Sequence, residues 1–328
     1  AFLTDRFLHW LQEEAGSPWF AHLSFLKPHP PFVAAEPWFS LIPEEDVPPP
    51  SRAVDPEAEG TLHPWLAAHL ALPLSSSSTL GQKELDRQAA LAEPTLARLR
   101  RVYLGLIAEV DHHIGRILDA VTRRGELDRT LVLFTADHGE MLADHWMLGK
   151  AGFFPQAFHV PLIVRPPTGA RGRRVDAFTE HVDLMPTVLQ ALGLEVPLQC
   201  DGASLGPFLS GHNPRASWRV AAHWEHDFRD VVARTYETAL NLVSDECALA
   251  VRFDGRYAYV HFAALPALCF DAVADPSWCR DLTRDPRAAP VVLAQAQAML
   301  SWRMRAAERR LTGCALTASG VVGRFDPA

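Results

Sequence analysis

An α/β fold is what this sequence predicts, on three observations. Between residues 95 and 124, Tyr103, Leu106, Ile107, Val110, Ile114, Ile117, Leu118 and Val121 recur at steps of three and four, the stripe of one long amphipathic helix. Around it lie apolar runs too short for helices and suited to buried strands, at 19–26, 131–135 and 159–165. From about Pro214 the pattern changes to shorter β-like runs closed by a last helical stretch. The long helix packs on the sheet and feeds the 131–135 strand, a β-α-β rhythm. The expected architecture is a mixed sheet sandwiched by helices over 1–213 and a smaller C-terminal α+β subdomain over 214–310, a short antiparallel sheet plus helix. Residues 311–328, small and polar, are expected to form a tail.

Each element has its own justification. Phe2, Leu3, Phe7, Leu8 and Leu11 give residues 2–14 a helical apolar face, ended by Gly16, Ser17 and Pro18. Because Ala1 is not Met and this face begins at once, the chain reads as a piece of a longer protein. The 19–26 run leads into Lys27-Pro28-His29-Pro30-Pro31-Phe32, where flanking prolines stiffen the loop and reduce the entropy lost in fixing the His29 ring. Residues 34–94, with Pro48-Pro49-Pro50 and a serine run from Ser75 to Ser78, read as an insertion over the active-site face, with short helices near 64–70 and 82–91. Gly125 suits the position after the long helix, and Arg123 and Arg124 suit its negative end. The adjacent His112 and His113 point in different directions on that helix. Pro166 and Pro167 stop the strand at 159–165. Asp183 is an N-cap candidate for a helix with Pro186 in its first turn and Gly193 at its end. Strands at 219–223, 248–253 and 257–262 follow, the last two joined by Asp254-Gly255, a strong hairpin signal; a terminal helix spans 288–310.

The 328 residues are 48% hydrophobic and 21% charged, enough for a sizeable core. A net charge of −8 argues against a nucleic-acid partner and means that an anionic substrate needs a local positive site. Cys200, Cys247, Cys269, Cys279 and Cys314 are odd in number and contain no C-x-x-C pair, which favours reduced thiols and a cytoplasmic location. No apolar run approaches a membrane span and the N-terminus is not a signal peptide.

Chemistry concentrates between residues 131 and 164. The 131–135 strand breaks into Asp137-His138-Gly139-Glu140, so two metal-competent side chains lie beyond a strand's carboxyl end, where open α/β sheets bind ligands. One hard oxygen and one imidazole nitrogen suit Mn, Fe, Zn or Ca better than Mg alone. Gly139 lets the backbone turn sharply. Asp144-His145 and then Gly149-Lys150 follow, the lysine being a cation able to return to the same site. Asp-His-Gly alone is a common turn, and a lone lysine is usually a surface charge; the combination carries the weight. His223, Glu225, His226 and Asp227 are also ligand types, but a strand-to-loop segment splays them.

These residues closely resemble the sulfatases within the alkaline phosphatase superfamily, the phosphonate monoester hydrolase branch most of all. The K-P-H-P-P-F loop, the 131–165 stretch and the order of elements over 254–271 carry the resemblance; Trp38, Trp65 and residues 224–228 fit that branch. It implies an alkaline-phosphatase-like fold and hydrolysis of a small anionic ester: a sulfate ester, phosphonate monoester or phosphodiester. It implies that Asp137 and His138 ligate one divalent metal ion (Mn, Ca, Fe or Zn), that Lys150 holds an oxygen of the sulfate or phosphonate group, and that His29 donates to the leaving-group or a nonbridging oxygen. The family's nucleophile, a formylglycine made in a C/S-x-P-x-R motif, has no counterpart here, because no such motif occurs. The expectation is that it lies upstream, together with the remaining ligands, and that this stretch alone is inactive. Two other readings stay open: a superfamily phosphodiesterase or phosphomutase with a Ser or Thr nucleophile, for which His159 is the near candidate for a further ligand, and a catalytically inactive binding relic. Neither a nucleic acid nor a membrane is an expected partner, and homo-oligomerisation is left open.

Overall fold

The computed structural model describes residues 1–13, 15–16, 18–74, 87–168, 172–212, 218–230, 232–311, 314–317 and 320–323. The chain divides into one unit of residues 1–61, 66–130 and 138–150 and another of residues 62–65, 131–137 and 151–328.

The first unit is helical. It holds α1 (Phe2–Glu13), α2 (Trp38–Leu41), α3 (Pro56–Gly60), most of α4 (Pro64–Ala71), α5 (Arg87–Ala90) and α6 (Thr95–Arg123). At 1.5 Å per residue α6 is about 43 Å long. Phe7 and Leu11 of α1 pack against Ala120 and Val121 of α6, and Trp10, Trp19, Ala21, Leu23 and Leu127 close over them. This corrects the expected strand at 19–26. Trp19, Ala21 and Leu23 lie on helices while Phe20 and Leu26 are exposed, and the run forms no strand because none among the described residues runs beside it to take its backbone hydrogen bonds. Trp19 Nε1 donates to Glu126 Oε2 at 3.0 Å, and Arg124 and Arg129 reach the same carboxylate. Arg124 foremost, then Trp19, hold that carboxyl down at about 2. Gly125 ends α6 with φ +68°, as expected of a helix C′ residue. Ile107, expected on the buried stripe, is 43% exposed, whereas Leu96, Leu99 and Val102 are buried. The insertion has α4 where a helix was expected; of the one near 82–91 only α5 falls within the described residues, and Ser75 to Ser78 fall outside them.

In the second unit β1 (Val132–Thr135), α7 (Pro155–Phe158) and β2 (Leu162–Arg165) come first. The two strands pair antiparallel, Val132 opposite Arg165 and Thr135 opposite Leu162. With no strand at 19–26, the expected β-α-β unit is absent among the described residues. Both strands are half-buried rather than buried, and Ile163 is 63% exposed. α8 (Leu184–Ala191) ends at Gly193, φ +71°. Asp183 acts from the 3₁₀ turn His181–Asp183 before α8 rather than as a simple N-cap: Oδ2 accepts from Glu180 N at 2.8 Å and Oδ1 from Ala203 N at 2.9 Å. Fully buried, it also pairs with Arg219.

After α9 (Gly206–Leu209) come β3 (Ala222–Asp227), α10 (Thr235–Leu240), β4 (Ala248–Phe253), β5 (Tyr257–Phe262) and β6 (Leu268–Asp271). The four strands form an antiparallel sheet in chain order, turning at Asp254-Gly255 with Gly255 at φ +95°. β3 begins three residues later than the 219–223 run, and β6 is a strand the sequence reading did not draw. α11 (Ala289–Leu311) covers one face, where Ala250, Tyr259 and Cys269 meet Met299, Val292, Ala296 and Trp302. Residues of opposite parity, Phe262 and Phe270, meet Phe153, while Phe228 contacts Phe262 and Trp65. The same alternation splays β3: His223 stacks on Trp302, Glu225 pairs with Arg303, and His226 faces Trp65. The expected tail is instead partly a hairpin, β7 (Cys314–Thr317) with β8 (Gly320–Gly323). No described helix is long and apolar enough to cross a membrane.

Candidate active site

Helix α6 carries the first unit's candidate residues on two loops. Lys27 pairs with Glu109 at 2.8 Å, and Phe32 packs edge-on against Tyr103 with ring centroids 5.7 Å apart. Both ends of the K-P-H-P-P-F loop are thus fastened to one helix, leaving His29 exposed at the tip. Its Nδ1 lies 2.7 Å from Pro30 O. A carbonyl only accepts, so Nδ1 carries the proton and Nε2 points away with its lone pair.

The second loop runs from His138 to Lys150. Met141 N donates to Gly149 O at 3.0 Å and Ala143 N to Met147 O at 2.7 Å, closing 141–149 into a lariat. Glu140 Oε1 seals the neck by accepting from Gly149 N at 2.5 Å and Leu142 N at 3.2 Å. Arg100 of α6 donates to Leu142 O at 2.7 Å and to Asp144 Oδ1 at 3.1 Å. The lariat brings the chain back on itself: Lys150 Nζ meets His138 Nε2 at 2.5 Å, across twelve residues. His138 Nδ1 lies 2.8 Å from Gly139 O. Its tautomer is therefore fixed by a backbone acceptor, and Nε2 faces Lys150 with its lone pair, the arrangement that also suits a metal-bound imidazole.

Charge gathers around Glu140. Burial pushes its carboxyl above the usual range, opposed by the amides of Gly149 and Leu142 and by His138 and His29. Burial, with the charge of Glu140, pushes the Tyr103 hydroxyl up to about 12. His29, His138 and Lys150 are thus brought to one region of the first unit by α6 and the lariat. Asp137, exposed, precedes His138 directly in the chain and belongs by contacts to the second unit.

The donor set fits a divalent metal in kind. An imidazole nitrogen with its lone pair turned toward a cation adjoins a carboxylate in sequence. In number it is partial, since no group of three or more His, Cys, Asp or Glu side chains able to hold a metal occurs among the described residues. Sequence reasoning quoted Glu140, Asp144 and His145 without giving them a task. Three ligand-type residues within a loop that must double back were the available signal. Glu59, which meets His145, left none, because its partner lies 86 residues away.

Comparison with known proteins identifies the relatives of this chain. A family model described as Sulfatase matches residues 1–194, and one described as N-sulphoglucosamine sulphohydrolase, C-terminal, matches residues 143–305. The chain is 41% identical over 325 residues to the multifunctional alkaline phosphatase superfamily protein PehA of Trinickia caryophylli, covering 98% of this chain and 63% of that protein. It is 29% identical over 301 residues to a choline-sulfatase of Rhizobium meliloti, covering 88% of this chain and 51% of that one. Among solved structures, the phosphonate monoester hydrolase of Agrobacterium radiobacter superposes with a TM-score of 0.89 at 43% identity, covering 99% of this chain and 64% of its own. This chain therefore spans less than two thirds of the length of these relatives.

Proposed function

The chain belongs to the sulfatase family of the alkaline phosphatase superfamily, and from that premise we propose that it forms part of a metal-dependent hydrolase of sulfate esters, phosphonate monoesters or phosphodiesters. One observation carries the proposal: the lariat returns the Lys150 ammonium to the lone pair of His138, beside Asp137 in sequence. Similarity to PehA and to the phosphonate monoester hydrolase supports the ester class.

In this reading Asp137 and His138 hold one divalent ion, Mn, Ca, Fe or Zn. When bound, it supplies Lewis-acid polarisation of an ester oxygen. The chain's own residues do the rest of the work visible here. Gly139 O holds His138 in the tautomer that offers Nε2 outward. Lys150, exposed at the lariat's end, provides a cation for a nonbridging oxygen as charge builds on it. His29, tied through Nδ1 to Pro30 O, takes a second proton only at Nε2, so its imidazolium delivers a proton from that atom to the leaving-group oxygen. The nucleophile of this reading is a formylglycine contributed from outside the present sequence.

Assays of the full-length protein with an aryl phosphonate monoester and an aryl sulfate test this, before and after chelation. Turnover of at least one ester, lost with the chelator and restored by one of the four metals, is expected. Turnover indifferent to chelation, or none with either ester, refutes the reading.

A further inference from the structure

We propose that the buried Glu59–His145 pair is a positioning device for the Lys150 loop, a role that rests on the hydrolase reading for its effect on turnover but not for its geometry. The lariat tip holds four non-glycine residues at left-handed φ: Leu142 at 43°, Ala143 at 69°, His145 at 52° and Trp146 at 58°. Such backbone persists only where the surroundings over-determine it. Residues 51–59 of the insertion are those surroundings. Ser51 N donates to Asp144 Oδ1 at 3.1 Å, and His145 N donates back to Ser51 O at 2.8 Å. Trp146 Nε1 donates to Ala53 O at 2.9 Å, and the Arg52 guanidinium sits 3.6 Å above the Trp146 ring.

The pair itself closes the clamp. His145 Nδ1 donates to Glu59 Oε1 at 2.8 Å, while Glu59 Oε2 accepts from Ala53 N at 2.6 Å. His145 is fully buried and Glu59 is 4% exposed. One carboxylate thus joins the lariat tip to the backbone of residues 51–53 that braces it. The tip fixes Ala143 opposite Met147, that pairing sets the neck, and the neck sets where Gly149 and Lys150 emerge. The insertion serves the site by shaping this loop from behind.

The test uses two readouts on the full-length protein: reductive methylation of Lys150 followed by peptide mass spectrometry, with Lys27 as internal reference, and separate kcat and KM values. His145→Leu removes the donor and keeps bulk; His145→Asn places an amide nitrogen near the Nδ1 position. In His145→Leu, Lys150 methylation should rise severalfold with Lys27 unchanged, and kcat should fall on the order of 10²-fold at nearly constant KM, the cost of a small misplacement. His145→Asn should return both toward wild type. If His145→Leu does not fold, Glu59→Gln is read the same way. Unchanged Lys150 methylation in a folded variant, or no rescue by Asn, overturns the proposal. A methylation shift in a protein without any turnover supports the clamp while removing the hydrolase reading.

Discussion

Replacing His63 by Gln should remove an acid sensitivity that the second unit owes to one ring. His63 is 2% exposed and stacks on Phe262 with ring centroids 4.2 Å apart. Its Nε2 donates to Pro266 O at 2.8 Å, and its Nδ1 accepts from Trp65 N at 3.1 Å. Both nitrogens are used in the neutral form, and a second proton would set N–H against N–H. Burial accordingly pushes the ring from 6.5 down to about 4. In the unfolded chain it takes its proton near 6.5, so the unfolded state binds that proton first as pH falls. The contribution is complete above about pH 6.5 and is lost on acidification toward pH 4. Between pH 7.5 and 4.5 the loss comes to about 2.5 kcal/mol, at 1.36 kcal/mol per unit. His63→Gln keeps a donor for Pro266 but cannot ionise. Urea unfolding of both proteins at the two pH values should show wild type losing about 2.5 kcal/mol more than the variant. Parallel losses would mean that His63 accepts its proton in place, and the burial argument would fail.

Other perturbations reach the candidate site and its support. In the full-length protein Lys150→Ala should lower kcat/KM by about 10²–10³-fold, the scale of one lost oxyanion donor; near-normal kinetics would return Lys150 to the solvated surface charges. Asp137→Asn should abolish tight metal binding, because His138 alone offers too few ligands, and unchanged metal content by plasma mass spectrometry would sink that assignment. Arg219→Met should cost about 3–5 kcal/mol in urea unfolding, since it strands the fully buried Asp183 carboxylate. A loss below about 1 kcal/mol would show that the amides of Glu180 and Ala203 hold that charge without help.

What could be read from the sequence was what local patterning controls. The long helix, its glycine stop and the Asp254-Gly255 hairpin all appear where spacing put them, because each depends on residues within a few positions. The 19–26 run was misjudged because apolar content says that a segment is covered, not by what. Trp19, Ala21 and Leu23 are covered by helices, and the segment's backbone has no strand beside it among the described residues. The 311–328 stretch misled in the opposite sense, since small residues with little apolar patterning gave no hint of a paired hairpin. At the candidate site, His138 and Lys150 stood out by residue type and by their place beyond a strand, and the resemblance gave them and His29 their expected roles. Of the groups that hold the lariat, Glu140 and His145 stood in the motif-bearing stretch without a task, and Arg100 and Glu59 left no signal, because their partners lie 42 and 86 residues away.

The attachment of both loops to α6 has a consequence for motion. Glu109 and Tyr103 fasten the His29 loop, and Arg100 fastens the lariat, within three turns of one rod. Bending or shifting that rod carries His29 and Lys150 as passengers, so slow collective displacements preserve their separation while fast side-chain fluctuations blur it. The two side chains therefore keep time with each other.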